Sequence, residues 1–264
     1  MFDRKSLQRT KERYPWPEDC PAVAPIPWSM DYGGRHLITD LITRRGLRIV
    51  LEVGSFVGGS ARQWLAASPQ VIVVCVDPWS DIVGSRPFID GHPFGKTFAG
   101  QLREPDGLFQ SFLSSMWDCR DRTVAVRGKA TDKLPELHSL GLKPDLIYID
   151  ADKKGAEIAL CDDLFPDALV GGDDWNWRDG RSITIRAPAR KSARSRCRVL
   201  KNFGNTWLID DRPWTARERT LQFLSLPRSM AQTISSVTQQ LRGRTSAGAP
   251  VEKRQHISRP PGAG

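Results

Sequence analysis

The stretch "VLEVGSFVGGSA", residues 50–61, decides how the chain is read. A short run that is apolar except for Glu52 ends at Gly54, and Gly58, Gly59 and Ser60 follow before the helical spacing of "SARQWLAAS". A run of this kind that stops at a glycine is a buried strand. A glycine-rich turn into a helix lets the backbone approach a ligand closely and offers unpaired N–H groups. The dinucleotide fingerprint G-x-G-x-x-G is not met, because Phe56 stands where the second glycine belongs and no phosphate-cradling lysine follows. A pyrophosphate therefore fits poorly and a smaller zwitterionic group fits better. Taken alone, the turn reads equally well as a tight strand-to-helix connection with a capping serine.

Outward from this turn the pattern repeats. Before it, "RHLITDLITRR" carries Leu37, Ile38, Leu41 and Ile42 at helical spacing. After it, "VIVVCVD" (71–77) is a second buried strand, and Asp77 at its end can accept hydrogen bonds from two ribose hydroxyls. Residues 78–100 read as a long loop rich in proline, glycine and aromatics, of a length that is usually functional or disordered. "PDGLFQSFLSSMW" is an amphipathic helix, "TVAVRG" a third strand, "DKLPELHSLG" a short helix or turn, and "DLIYID" a fourth strand. "KGAEIALCDDLF" is a helix, "ALVGGDD" a fifth strand, and "CRVLKN" with "TWLIDD" a closing hairpin. Strands alternating with helices predict an α/β fold, a doubly wound, mostly parallel sheet with a C-terminal antiparallel hairpin. The predicted organisation is an N-terminal arm or lid over 1–33, extended and outside the core, a ligand-binding domain over 34–212, and a basic, disordered tail over 213–264.

Composition limits the class. Apolar residues are 39% of the 264, a little low for a compact globule, which agrees with segments outside the core. No stretch reaches the roughly 20 apolar residues of a membrane helix, and the N-terminus lacks a signal-peptide core, so the reading is cytoplasmic with no membrane partner. The five cysteines form no C-x-x-C pair, which argues against a zinc site and a disulfide framework; Cys75 reads as a small buried apolar residue. The net charge of +9 is uneven: from Arg181 onward there are 17 Lys and Arg against 4 Asp and Glu, and before it 22 against 26.

The motifs carry a resemblance. "VLEVGSFVGGSA", "VCVDPW", "VRGKATDKLPEL", "DLIYIDADKKG" and "LVGGDDW" occur in the order of the class I S-adenosylmethionine-dependent methyltransferases, which have a Rossmann-like fold. Over about residues 34–210 the set resembles the metal-dependent O-methyltransferases, both the catechol and caffeoyl-CoA type and the bacterial group acting on sugar or polyketide hydroxyls. The resemblance implies S-adenosylmethionine as cofactor. Glu52 and the turn at Gly54 and Ser55 would hold its methionine part, and Ser60 would reach the carboxylate. Asp77 would take the ribose hydroxyls, Trp79 would lie near the adenine, and Ala130 and Thr131 would flank it. For Trp79, plain packing is an equal reading.

It also implies a metal. Asp150 ends the fourth strand, and Asp173 and Asp174 end the fifth; neighbouring parallel strands lie about 4.8 Å apart. Three carboxylates converging in so small a volume need a positive partner, and Mg²⁺ or another divalent cation, keeping some waters, would leave room for a substrate hydroxyl. That hydroxyl, ionised more easily on the cation, would attack the sulfonium methyl. The proton acceptor would be Lys153, as in the plant and animal type, or Asp152, as in the bacterial sugar type. Asp174 stands where the plant and animal branch has asparagine, which favours a sugar-like acceptor. Without the series, Asp173 and Asp174 would read as a turn with a helix cap, and Asp152 and Lys153 as a solvated helix start.

"RSITIRAPARKSARSRCRVLK", residues 181–201, holds eight basic and no acidic residues. It reads as a solvated basic helix, or as a surface for an anionic substrate. No regular interleaving of aromatics supports nucleic acid. The expected partner is a small molecule bearing a hydroxyl. Metal-independent methyl transfer and a non-catalytic nucleic-acid-binding module are the competing readings. A homodimer is compatible with the chain, whose oligomeric state the sequence leaves open.

Overall fold

The computed structural model describes residues 4–26, 34–80, 93–151, 155–179, 182–220 and 222. Asp152, Lys153, the middle of the expected loop (81–92) and the tail from 223 lie outside the described residues.

The first strand, β1 (Ile49–Val53), is buried at all five residues, as expected of a parallel strand covered on both faces. It pairs in parallel with β2 (Ile72–Asp77) on one side and β4 (Leu146–Ile149) on the other. β3 (Thr123–Arg127) extends the sheet beyond β2, and β5 (Leu169–Gly172) extends it beyond β4. The hairpin β8 (Val199–Phe203) and β9 (Thr206–Asp210) completes it, with β9 inserted antiparallel against β5. The order β3-β2-β1-β4-β5-β9-β8 is the expected doubly wound sheet with its antiparallel hairpin. A separate two-stranded ribbon pairs β6 (Arg178–Asp179) with β7 (Ser182–Ile183).

Alternation along each strand divides the core. Val50, Cys75 and Tyr148 pack beneath α2 (Arg35–Arg45), α3 (Gly59–Ala67) and α5 (Gly107–Met116). Leu51, Val74 and Ile147 pack beneath α6 (Ala130–Ser139), α7 (Ala156–Leu164) and α8 (Arg186–Ser195). Because the chain winds from β1 to β2 on one side and returns through β4 on the other, the strand order reverses at β1 and β4. Beyond the carboxyl ends of those strands a doubly wound sheet takes its ligand.

Two expectations are corrected. Residues 4–13 form a helix, α1 (Arg4–Arg13), rather than an extended arm, and Leu7 belongs to the core. Few apolar residues mark this helix because polar contacts hold it: Arg9 donates to the Leu140 carbonyl at 2.8 and 3.1 Å, and Arg13 pairs with Glu136 at 2.8 Å. From there Trp16 donates to the Thr123 carbonyl at 2.8 Å and Ile26 N–H to Ser115 Oγ at 2.8 Å, so the segment covers the edge strand β3. The second correction is that the end of the expected loop is helical, α4 (Pro93–Arg103). Of the two readings of "DKLPELHSLG", helix or turn, the structure has the helix: residues 132–139 lie in α6, with Pro135 inside it. The described residues all fall in one compact unit, residues 1–226.

Candidate functional site

Two glycines fix the strand tips. Gly54 has φ +90°, and a Cβ there would stand 2.3 Å from the Asp150 carbonyl oxygen. Only glycine allows the β1 turn to lie so close to the end of β4. A Cβ on Gly172 would meet the Ile149 oxygen at 2.3 Å and the Trp207 ring at 2.8 Å. The bare backbone there admits the indole of Trp207, whose Nε1 donates to the Asp173 carbonyl at 2.9 Å. The "GG" of "LVGGDDW" thus accommodates protein, and the ladder continues past the strands through Asp150 N–H to Val53 and Asp173 N–H to Ile149.

Between these tips lies a crevice of about 230 Å³ lined by Val53, Gly54, Val76, Pro78, Lys129, Ala130, Thr131, Ala151 and Glu157. It joins Gly54, Ala130 and Thr131, three expected cofactor residues from distant parts of the sequence. Larger hollows of about 670 and 920 Å³ hold none of the expected site residues. Asp77, at the adjoining end of β2, accepts the backbone N–H of Phe56 at 2.9 Å and of Trp79 at 2.7 Å. Burial raises its pKa, against those two donors. Each carboxylate oxygen has a second lone pair, so the side chain can still accept from a ligand.

Glu52, Ser55 and Ser60 gather below the turn. Glu52 is fully buried and accepts from Trp64 Nε1 at 3.1 Å. Burial raises its pKa, while Ser60, Ser55 and Trp64 beside it pull the other way. The expected capping serine is replaced by Gly58 as the N-cap of α3. Trp79 follows the packing reading: it is 2% exposed, tilted against Phe109 and Phe112, with Nε1 donating to the Phe56 carbonyl at 2.6 Å. Its ring belongs to the hydrophobic core.

The carboxylates at the tips have a partner that the sequence reading missed. Arg35, in the first turn of α2, is 3% exposed. Its Nη2 lies 2.5 Å from Asp150 Oδ2 and 2.6 Å from Asp173 Oδ2, and its Nε donates to Tyr148 Oη at 3.3 Å. Burial opposes the charge on Arg35, but Tyr148, Asp150 and Asp173 outweigh it and raise its pKa. Burial likewise pushes Asp173 up to about 6, against the pull of Arg35. Asp173 Oδ1 is buried without a hydrogen-bond partner among the described residues. Asp174 takes φ +62°, and its Oδ1 lies 3.4 Å from Asn205 Nδ2. Among the described residues no group of three or more His, Cys, Asp or Glu could hold a metal ion. Of the expected set of Asp150, Asp173 and Asp174, a guanidinium bridges the first two, and the third lies beside Asn205.

The basic stretch is also put to internal use. Arg196 donates to Asp162 at 3.0 Å and to the Ala168 carbonyl at 2.7 Å, and Arg198 to the Pro166 carbonyl at 3.0 Å. Arg186 donates to the Trp175 carbonyl at 3.0 Å. Lys201 is fully buried between Asp210 at 2.6 Å and Glu218 at 2.8 Å. Arg190, Lys191 and Arg194 are the exposed basic residues of α8.

No family model matches the chain, and neither does any curated protein. Solved structures with a similar arrangement include the O-methyltransferase TomG from Streptomyces achromogenes, in complex with SAM. It is 17% identical over 80% of this chain and 91% of that one, with a TM-score of 0.46. The O-methyltransferase from Bacillus cereus in complex with SAH is 18% identical over 79% and 90%, with a TM-score of 0.45. The SAH-bound methyltransferase PaMTH1 of Podospora anserina is 14% identical over 80% and 89%, with a TM-score of 0.45. At these identities and scores the likeness assigns no activity to this chain.

Proposed function

We propose that the chain is an S-adenosylmethionine-dependent methyltransferase acting on a hydroxyl of a small molecule, a sugar, polyketide or phenol. One observation carries the reading: Gly54, Ala130 and Thr131 meet in one crevice at the strand tips, with Asp77 at the adjoining end of β2. The five motifs in order support it. In it Asp77 accepts from the ribose, Ala130 and Thr131 border the adenine, and the turn at Gly54 and Ser55, with Glu52 and Ser60 beneath it, carries the methionine end. The described walls enclose less than the roughly 300 Å³ at which small-molecule sites begin, so they cover one part of the cofactor.

The bound cofactor supplies an electrophilic sulfonium methyl. The chain then has to hold the acceptor oxygen in line with the methyl and take its proton, for which Asp152 is the proposed group and Lys153 the alternative. Mg²⁺ does not fit the side chains as they stand, because Arg35 already bridges Asp150 and Asp173 and Asp174 turns to Asn205. No step is routed through a metal. A small acceptor is favoured over nucleic acid because Arg186, Arg196, Arg198 and Lys201 are engaged within the protein. Among the described residues no helix is long and apolar enough to cross a membrane.

Calorimetry with S-adenosylmethionine and S-adenosylhomocysteine tests the reading. Saturable binding is expected, and Asp77→Ala should weaken it roughly ten- to hundredfold, the effect of losing hydrogen bonds to a charged group. No binding to the wild-type chain would overturn the proposal. Affinity unchanged in Asp77→Ala would remove the ribose assignment.

A further inference from the structure

From the strand-tip geometry we infer that Arg35 is the resident cation of this site: its guanidinium takes the position of a divalent ion between Asp150 and Asp173. On the reading above, methyl transfer by this chain then proceeds without a bound divalent metal. Arg35 is a positioning residue, holding the two strand tips and their charges in place.

The placement of Arg35 supports this. It sits in the first turn of a helix, where the aligned peptide dipoles disfavour a positive side chain. It is also buried, which disfavours any charge without close partners. Both disadvantages are offset by the carboxylates of Asp150 and Asp173, each within 2.6 Å of one nitrogen, together with Tyr148 beside them. The fold delivers the group deliberately. Gly34, the N-cap of α2, has φ +107°, and a Cβ there would stand 2.3 Å from the Phe203 carbonyl oxygen, so the helix begins tight against the end of β8. A guanidinium is charged at every accessible pH and needs no loading. Mg²⁺ would require oxygen ligands at about 2.0–2.1 Å in near-octahedral array. The third strand-tip carboxylate, Asp174, lies instead against Asn205.

The test uses Mn²⁺, whose free form is read by electron paramagnetic resonance, on the full chain with and without S-adenosylmethionine. Wild type is expected to show no saturable Mn²⁺ site into the millimolar range, and its melting temperature should not respond to a chelator. Arg35→Ala leaves Asp150 and Asp173 without their cation and is expected to bind Mn²⁺ at least about tenfold more tightly than wild type. Arg35→Lys, which keeps the charge, should not. Should Arg35→Ala be too unstable for titration, Mn²⁺ is expected to raise its melting temperature. One Mn²⁺ bound stoichiometrically by wild type and lost in Asp173→Asn would overturn the inference, as would Arg35→Ala gaining neither Mn²⁺ affinity nor Mn²⁺-dependent stability. Cofactor binding, measured separately, reports on the proposed function: a chain that binds S-adenosylmethionine and also Mn²⁺ keeps that function and loses this inference. A chain that binds neither does the reverse.

Discussion

Arg35 lies at i with Ile38 and Ile42 at i+3 and i+7, both fully buried, so helical spacing alone turns it inward. The same pattern that identified "RHLITDLITRR" as a helix therefore held the cation, but nothing in the sequence tied that face to the tips of β4 and β5. Glu52 was legible as a site residue, yet its surroundings were not. It sits on the sheet face that packs under α3, among Trp64 and Cys75, where its charged form is disfavoured. Its pKa is raised above the ordinary 4.5, which fixes the sign of a pH effect. Below that value Glu52 is neutral both folded and unfolded. As pH rises, the unfolded chain releases the proton first, so the stability contributed by neutral Glu52 is lost as pH climbs through the folded pKa. Urea midpoints of wild type and Glu52→Gln, taken from about pH 4 to about pH 8, should diverge in favour of the amide variant as pH rises. Parallel curves would show that Glu52 titrates alike in the folded and the unfolded chain.

At the scale of elements, the buried strands and the helices between them were legible because apolar periodicity reports burial directly. The exceptions are elements held by polar contacts. α1 is almost entirely polar, and α8 reads as a basic surface helix, although Ala189, Ser192 and Ala193 bury one side of it. Lys201 is the sharpest case: a lysine in a basic run that forms the buried link between β9 and the residues around Glu218. Lys201→Met keeps the volume but leaves Asp210 and Glu218 without their shared partner. A cost of about 3–5 kcal/mol is expected in equilibrium unfolding, the usual result of stranding one side of a buried pair. A cost below about 1 kcal/mol, the range of surface pairs, would show that solvent or Arg45, which also reaches Asp210 at 2.5 Å, compensates.

At the scale of the whole molecule, the described part of the N-terminal segment is tied into the fold. Leu7 packs among residues of α6 and Trp16 near Phe112 and Trp117, so the segment joins both faces across the β3 edge. Burial of Leu7 alone contributes about 2 kcal/mol. Each kcal/mol lost moves the melting temperature of a chain this size by about 2–4 °C. Deleting residues 1–16 should therefore lower it by at least about 4 °C and promote association through the uncovered edge. An unchanged melting temperature and a monomeric profile on size-exclusion chromatography would return the segment to the role of a detachable arm.

The sequence by itself determined the strand-and-helix alternation, the antiparallel hairpin and the residues standing at the strand tips, because burial on two faces leaves a periodic record in the chain. It also brought Asp150 and Asp173 to one place, since both end neighbouring parallel strands. What it could not supply was their counter-charge. That comes from Arg35, more than a hundred residues away, through the packing of a helix on the sheet and a glycine set against β8. Charge neutralisation acts through distance in space, so only the tertiary structure could decide whether those acids meet a metal ion or a guanidinium.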